Sequence, residues 1–287
     1  MTIERIAVLG AGVMGTGVAQ VFADRGYATT VVDLTDEILG RSLERMRYDL
    51  RLSKLLGKMS SESIDDVLER VTLTTDLSKL TNVDFVVENV TEDVAAKSRV
   101  LDRADALLPS HAIIASNTSV LSISLLAAST KRPDRFLGLH FMNPAPLKSV
   151  VEMVRGEHTS ESTLEAATAL LRRVGREVVV VNDGPGFVTN RILMWSINEA
   201  IRITEEGIAE PQAIDRLFRE CFGHEMGPLE TADLIGLDTV LQSIRMLQYQ
   251  TENECYRPSP LLEKMVADGR LGCKTGQGFY AHRNMAK

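Results

Sequence analysis

Cysteine is scarce in this 287-residue chain, which has three: Cys221, Cys255 and Cys273. An odd count without metal-ligand spacing, in a chain long enough not to need staples, argues against a disulfide scaffold and a cysteine-based metal site. It points instead to a reducing cytoplasm. Surplus positive charge is also missing: Lys and Arg number 32 against 39 Asp and Glu, for a formal net charge of -7. With no basic cluster on any predicted face, a nucleic-acid surface is not expected. No apolar run approaches the roughly 20 residues that a bilayer span requires. The chain enters an apolar strand almost directly after Met1, with no charged leader or cleavage site, so neither membrane insertion nor secretion is expected. Internal repeats and low-complexity tracts are absent too. What remains, at 44% hydrophobic and 25% charged residues, is an ordinary globular composition with room for two domains.

The order of apolar runs then suggests a fold. Residues 3–9 form a short apolar run, 13–25 have helical character, and 28–33 form a second β-rich run ending in an acid. Residues 36 to about 70 read as one or two helices. Short runs recur at 71–74, 85–87, 112–115 and 136–139, mostly with helical segments between them. This alternation predicts an α/β, mainly parallel, doubly wound sheet, which runs 150–154 and 177–181 extend around a helix at 164–173. The character changes at Asp183-Gly184-Pro185-Gly186, after which no convincing strand follows. The expected domains are therefore 1–184, Rossmann-like, and 185–287, all-helical. Helices are expected near 187–206, 211–221, 230–249 and 260–267, followed by a glycine-rich tail at 272–278. Val188, Ile192, Trp195, Ala200 and Ile203 fall near one face of the first of these helices, an apolar surplus that suggests burial against a partner or, alternatively, against the sheet domain.

Gly10-Ala11-Gly12-Val13-Met14-Gly15 is a G-x-G-x-x-G that follows a predicted strand and opens a helix. Gly10 permits the tight turn, Gly12 lets backbone approach a pyrophosphate, and Gly15 lets helix pack closely on strand. The helix N-terminus offers N–H groups to phosphates. Asp33 ends the second strand about 20 residues on, placed to bind ribose hydroxyls and repel a 2′-phosphate. NAD is thus favoured over NADP.

His140 lies at the end of an apolar strand, where a histidine is more often a hydrogen-bonded core residue. Glu152, which interrupts Val150-Val151 and Met153-Val154, is a carboxylate in a strand otherwise suited to burial, so it needs a partner. The turn-forming Asn143-Pro144-Ala145-Pro146 could return the chain and set Glu152 beside His140. A carboxylate on one imidazole nitrogen raises the basicity of the other, as a general base requires; the bland alternative is a structural ion pair. Ser116-Asn117-Thr118-Ser119 follows a strand at the carboxyl edge where ligands bind, although these are also turn residues. Glu92 and Lys97 are placed at the start of the helix after the fourth strand, where an acid is ordinarily a first-turn residue. Asn190 reads as a capping or solvated residue, Lys274 as a solvated lysine, and Glu230 and Asp233 as helix capping.

Taken together, residues 10–20, 116–119, 140–146 with Glu152, 185–191, 226–230, 236–238 and 274–280 resemble the short-chain L-3-hydroxyacyl-CoA dehydrogenases, which include the bacterial 3-hydroxybutyryl-CoA dehydrogenases. The resemblance covers essentially the whole chain. It implies that His140 is the catalytic base, Glu152 its orienting carboxylate, and Ser119 and Asn190 the groups that hold substrate oxygens. It also implies NAD contacts at Glu92, Lys97, Asn143 and Lys274, no metal, a homodimer formed through the helical domain, and an active site in the cleft between the domains. In this scheme His140 takes the 3-hydroxyl proton while C3 gives a hydride to the nicotinamide.

Other readings compete. A β-hydroxyacid dehydrogenase would need a catalytic lysine in a glycine-rich helix, and none is found. A non-catalytic NAD-binding dimer would fit loss of His140 and Glu152, and both are present. The carrier of the acyl group is a separate question. CoA-acting relatives usually present a serine and then lysines to the CoA nucleotide, where this chain has Asp49 and Leu55-Leu56-Gly57-Lys58, with Arg51, Lys54 and Lys58 able to compensate if the helix is rotated. Segments 140–148 and 221–230 are similar to a branch of the family that acts on acyl-carrier-protein thioesters, of the glyceryl type, in polyketide extender-unit biosynthesis. Both CoA and an acyl carrier protein are therefore carried forward, with CoA expected.

Overall fold

The computed structural model describes residues 3–60 and 62–282. The chain divides into two compact units, Met1–Gly184 and Pro185–Lys287. In the first unit the described residues form strands β1 (Arg5–Leu9), β2 (Ala28–Val32), β3 (Val71–Thr74), β4 (Phe85–Glu88), β5 (Ile113–Ser116), β6 (Phe136–Phe141), β7 (Val150–Arg155) and β8 (Glu177–Asn182). Between them lie helices α1 (Val13–Ala23), α2 (Asp36–Leu55), α3 (Ile64–Glu69), α4 (Val94–Asp105), α5 (Ile123–Ala127) and α6 (Glu161–Arg173).

One Rossmann-like sheet joins all eight strands in the order β3-β2-β1-β4-β5-β6-β7-β8. Strand order reverses beside β1, which pairs in parallel with both β2 and β4. The carboxyl ends there diverge into a crevice, because successive crossovers leave in opposite directions. The central strands can be apolar throughout because helices cover them, whereas edge strand β8 leaves Val179 and Val180 exposed. Phe85, Val86, Val87, Ile114 and Leu137 are completely buried, and each such side chain contributes about 1.5–3 kcal/mol through removal from water. Strand β7 alone turns back against its predecessor, and β8 then follows β7 in parallel.

Helix ends follow local chemistry. Thr35 caps α2 by accepting from Ile38 N, with Asp36 and Glu37 in the first turn and Lys54 in the last, each matched to the helix dipole. The stretch predicted as one or two helices between 36 and 70 is two, α2 and α3.

The second unit packs α7 (Thr189–Glu205), α8 (Pro211–Phe222), α9 (Pro228–Ile235), α10 (Leu237–Thr251) and α11 (Pro260–Ala267) around Ile197, Ile201, Leu229, Leu237, Ile244 and Leu262. Proline opens α8, α9 and α11, where its missing N–H costs nothing. The helix expected over 230–249 is instead two helices, broken at Gly236, whose φ of +99° no side-chain-bearing residue adopts easily. The apolar face expected on α7 also divides: Ala200 is buried and Ile203 packs on the unit's own core, leaving Val188, Ile192 and Trp195 exposed.

Candidate functional site

The three glycines of the first loop have three different reasons to be glycine. Gly10 has φ +99° and donates its N–H to Val32 O at 2.8 Å, and a Cβ there would lie 2.7 Å from Asn89 O. A Cβ on Gly15 would lie 1.8 Å from Gly10 O, so this position sets how closely α1 packs on the loop. A Cβ on Gly12 would meet nothing within 4 Å. That open space is what a pyrophosphate approaching the backbone would use. No side chain caps α1 and its first turn carries no acid, so its N–H groups and positive end are left to an anion. Val13 is exposed and Met14 packs against the core. Asp33 accepts from Ala11 N and Leu34 N, both at 2.6 Å, which orients its carboxylate at the edge of the same loop. These residues fit a dinucleotide whose ribose carries free hydroxyls.

The antiparallel pairing of β6 and β7 sets Glu152 directly opposite His140. Glu152 Oε2 lies 2.8 Å from His140 Nδ1, and both residues are buried. Buried carboxylates are costly unless hydrogen-bonded, so the Nδ1 proton is drawn to Glu152 and the Nε2 lone pair points away from it. Ser119 Oγ lies 3.1 Å from that Nε2. The three side chains form a line of carboxylate, imidazole and hydroxyl.

Ser119 is held in turn by a charged network that runs from half-buried Glu92 into the core. Glu92 Oε1 accepts from Ser119 N at 2.9 Å and from the Thr118 hydroxyl. Glu92 Oε2 lies 3.5 Å from Lys97 Nζ, and that ammonium also bonds both oxygens of Glu88 at 2.8 and 3.0 Å. Lys97 and Glu88 are completely buried. Burial pushes the Glu88 carboxyl above the usual carboxylate range, against the opposing effects of Lys97, of Ser116 Oγ at 2.5 Å and of Val90 N. Glu92 is not a first-turn residue: α4 starts at Val94, and its cap is Asp93, which accepts from Ala96 N. Lys97 does lie in the first turn. Asn117 closes the arrangement, accepting from Phe141 N at 3.1 Å and donating to Asn89 Oδ1 at 2.7 Å. Sequence reasoning missed Glu88 and Asn89, and had Asn117 only as part of the 116–119 segment at the carboxyl edge of a strand. The signal for Glu88 was available, since it is an acid at the end of an apolar strand, as Glu152 is an acid inside one.

The remaining predicted positions are dispersed. Asn143 is exposed in the turn after β6. Asn190 is buried in the first turn of α7. Lys274 is not simply solvated: its ammonium donates to Asp238 Oδ1 at 2.7 Å and Thr239 Oγ1 at 2.8 Å. Gly236 leaves room for it, as a Cβ there would lie 2.5 Å from Lys274 Cε. Burial pushes the Asp238 carboxyl up, but the bonds from Lys274 and Thr239 N outweigh it and hold Asp238 below the usual range. Glu230 accepts from Gly227 N as a cap. Asp233 does not cap a helix. It is completely buried and accepts from Phe279 N and Tyr280 N, so it anchors the glycine-rich tail. Asp49 is paired with Arg45 at 2.7 Å, and Tyr48, Leu52, Leu55 and Leu56 are exposed along and just beyond the end of α2. No group of three or more His, Cys, Asp or Glu among the described residues could hold a metal ion. Nor is any helix long and apolar enough to cross a membrane.

Family models match both units. The 3-hydroxyacyl-CoA dehydrogenase NAD-binding domain matches residues 5–184, and the C-terminal domain of the same family matches 186–282. The chain is 43% identical over 280 residues to a probable 3-hydroxybutyryl-CoA dehydrogenase of Bacillus subtilis, covering 98% of each chain. It is 40% identical to the 3-hydroxybutyryl-CoA dehydrogenase of Bradyrhizobium diazoefficiens, covering 98% of this chain and 96% of that one. Among solved structures, (S)-3-hydroxybutyryl-CoA dehydrogenase from Ralstonia eutropha superposes with a TM-score of 0.92 at 39% identity, over 98% of this chain and all of the other.

Proposed function

The chain belongs to the 3-hydroxyacyl-CoA dehydrogenase family, and from that premise we propose that it interconverts 3-hydroxyacyl and 3-ketoacyl thioesters on CoA, of the 3-hydroxybutyryl-CoA type, with NAD as cofactor. The observation that carries the reading is the Glu152–His140–Ser119 line on the sheet that also bears the glycine loop. NAD, when bound, supplies the acceptor for the hydride leaving C3. The residues of this chain handle the proton. Glu152 keeps a proton on His140 Nδ1, so Nε2 is the nitrogen that takes the proton of the substrate's 3-hydroxyl, and the imidazolium that forms is stabilised by the carboxylate behind it. In reduction the imidazolium returns that proton to the new alkoxide. The network of Glu92, Lys97 and Glu88 fixes the Thr118–Ser119 loop so that Ser119 bonds an oxygen of bound substrate without first reorganising. Asn190 is the second proposed substrate-oxygen ligand. Asn143 and Lys274, with Glu92 and Lys97, are the proposed further contacts or supports for NAD.

The test is reduction of acetoacetyl-CoA with NADH and NADPH in parallel. NADH is expected to be strongly preferred because Asp33 opposes a 2′-phosphate. Equal use of both would remove that role, and no turnover with any 3-ketoacyl thioester would overturn the reading. A homodimer is also proposed, supported by Val188 just before α7, by Ile192 and Trp195 on it and by Leu217 and Phe222 of α8, all exposed apolar residues of one chain. Light scattering that returns the 31.6 kDa monomer at micromolar concentration contradicts it. Three free, exposed thiols favour a reducing, cytoplasmic compartment.

A second reading, with an acyl carrier protein in place of CoA, is favoured by one observation. The end of α2 presents Tyr48, Leu52, Leu55 and Leu56 to solvent, with Asp49 beside them, and this apolar surface lies among Arg51, Lys54 and Lys58, the exposed cations left to serve a nucleotide's phosphates. This reading expects a high KM for acetoacetyl-CoA that Asp49→Ser combined with Leu56→Lys lowers. A KM in the low micromolar range for the unmodified protein excludes it.

A further inference from the structure

The tail of the second unit assembles a thiol, an imidazole and a carboxylate that the dehydrogenase chemistry does not use. Cys273 Sγ lies 3.5 Å from His282 Nδ1, and His282 Nε2 lies 2.8 Å from Asp233 Oδ2. The three are brought together by the way the tail wraps around Asp233. Cys273 N donates to Asp233 O at 2.9 Å, Phe279 N and Tyr280 N donate to the two carboxylate oxygens, and His282 N donates to Gly276 O. Two glycines make the wrapping possible: a Cβ on Gly272 would lie 2.3 Å from Asp233 O, and one on Gly278 2.0 Å from Asp233 Oδ1.

The order of the three groups decides what they can do. Asp233 is completely buried and its bond draws the imidazole proton to Nε2, which leaves the Nδ1 lone pair facing an exposed sulfur. Among the described residues, Cys221 and Cys255 are also exposed, and neither has an imidazole bonded to its sulfur. The chain therefore carries two built-in controls. We propose that Cys273 is a base-assisted nucleophile, with His282 as the base and Asp233 as its positioning residue, and that it takes part in thiol–disulfide exchange with small-molecule disulfides to form a mixed disulfide on the tail.

Burial and the negative charge of Asp233 push the Cys273 thiol above its usual range. At neutral pH the group is stored as the thiol, and it reacts by passing its proton to His282 as the new bond forms. A sulfur of raised basicity is also the stronger nucleophile once deprotonated. In the step, Sγ loses its proton to Nδ1 and attacks one sulfur of the disulfide. The Sγ–S bond forms as the S–S bond breaks, and the departing thiolate takes the proton back from His282. Cys273 is oxidised to half of a mixed disulfide, and half of the incoming disulfide is reduced to a thiol. This inference does not depend on the dehydrogenase reading.

The test treats the full native chain with oxidised glutathione and follows each cysteine by peptide mass spectrometry. Cys273 is expected to react about tenfold or more faster than Cys221 and Cys255, a gain held below the roughly 10²-fold lower end of general-base assistance because its raised thiol opposes ionisation. His282→Gln is expected to bring its rate down to theirs. Because that variant could loosen the tail, the unmodified chain is also labelled in denaturant, where the advantage should vanish. Equal rates for the three thiols in the native chain, or an advantage that persists in denaturant, overturns the proposal.

Discussion

Glu152 in the first unit and Asp215 in the second are both buried, hydrogen-bonded carboxylates, yet they are suited to opposite tasks. Asp215, on α8, accepts from Leu229 N and Glu230 N at 2.9 Å and from the Tyr280 hydroxyl at 2.6 Å. Two of those donors are backbone amides that hold their protons throughout the physiological range, so the carboxylate ties α8 to the start of α9 and to the tail. Glu152 bonds an imidazole, whose far nitrogen can accept a proton from a bound group and return it. Burial of an acid therefore does not mark a reactive site. The kind of partner separates the two, backbone amide against imidazole, and Asp233, with two amides and one imidazole, stands between the two cases.

The largest expected effect tests the reactive half of this comparison. His140→Gln should lower kcat by about 10³-fold, within the range for loss of a general base, while NAD affinity changes little because the glycine loop is untouched. Glu152→Gln should act in the same direction with a smaller loss. Steady-state kinetics alongside cofactor titration checks both, and near-normal turnover in the His140 variant would remove the assigned base.

Asp215→Asn should do the reverse. An amide cannot accept from all three donors as the carboxylate does, so stability should fall by about 2–3 kcal/mol, read from denaturant unfolding, with kcat per folded molecule unchanged. Loss of turnover at full stability would erase the distinction between the two carboxylates. The smallest effect is that of Tyr280→Phe, which removes one of the three donors and should cost about 1 kcal/mol at neutral pH. Burial, then the bond to Asp215 and its charge, raise the Tyr280 phenol above its ordinary value of 10.0. The folded protein thus holds that proton more tightly than the unfolded chain. Its stabilising contribution is fully present below pH 10 and is lost as pH rises through the raised value. Unfolding measured from pH 9 to 11 should show this decline in the unmodified protein and a flatter curve in the variant.

Several parts of the site were legible because their reasons are local. Gly10, Gly12 and Gly15 lie within one turn of chain, and a strand before and a helix after them suffice to assign each glycine its task. Glu152 was legible for a thermodynamic reason: a charge in an apolar strand needs a partner, and the turn at 143–146 named the strand that could supply one. The same reasoning would have found Glu88 had the strand been extended one residue past Val87. Its partner Lys97 is nine positions away in a helix, where a lysine ordinarily faces solvent, and no local pattern distinguishes it from one that does.

The sequence by itself determined the order of strands and helices, the nucleotide loop, and the acid and imidazole that had to meet, because hydrophobic periodicity, glycine geometry and the cost of an unpaired buried charge act over short stretches of chain. Only the tertiary structure decided that Glu92 organises the Ser119 loop, that α9 and α10 are separate helices, and that Lys274 and the tail close on Asp238 and Asp233. Those outcomes depend on backbone amides and missing Cβ atoms from segments tens of residues apart, as where Lys274 lies beside Gly236. A side chain's partner at that separation is chosen by packing, which has no period along the sequence.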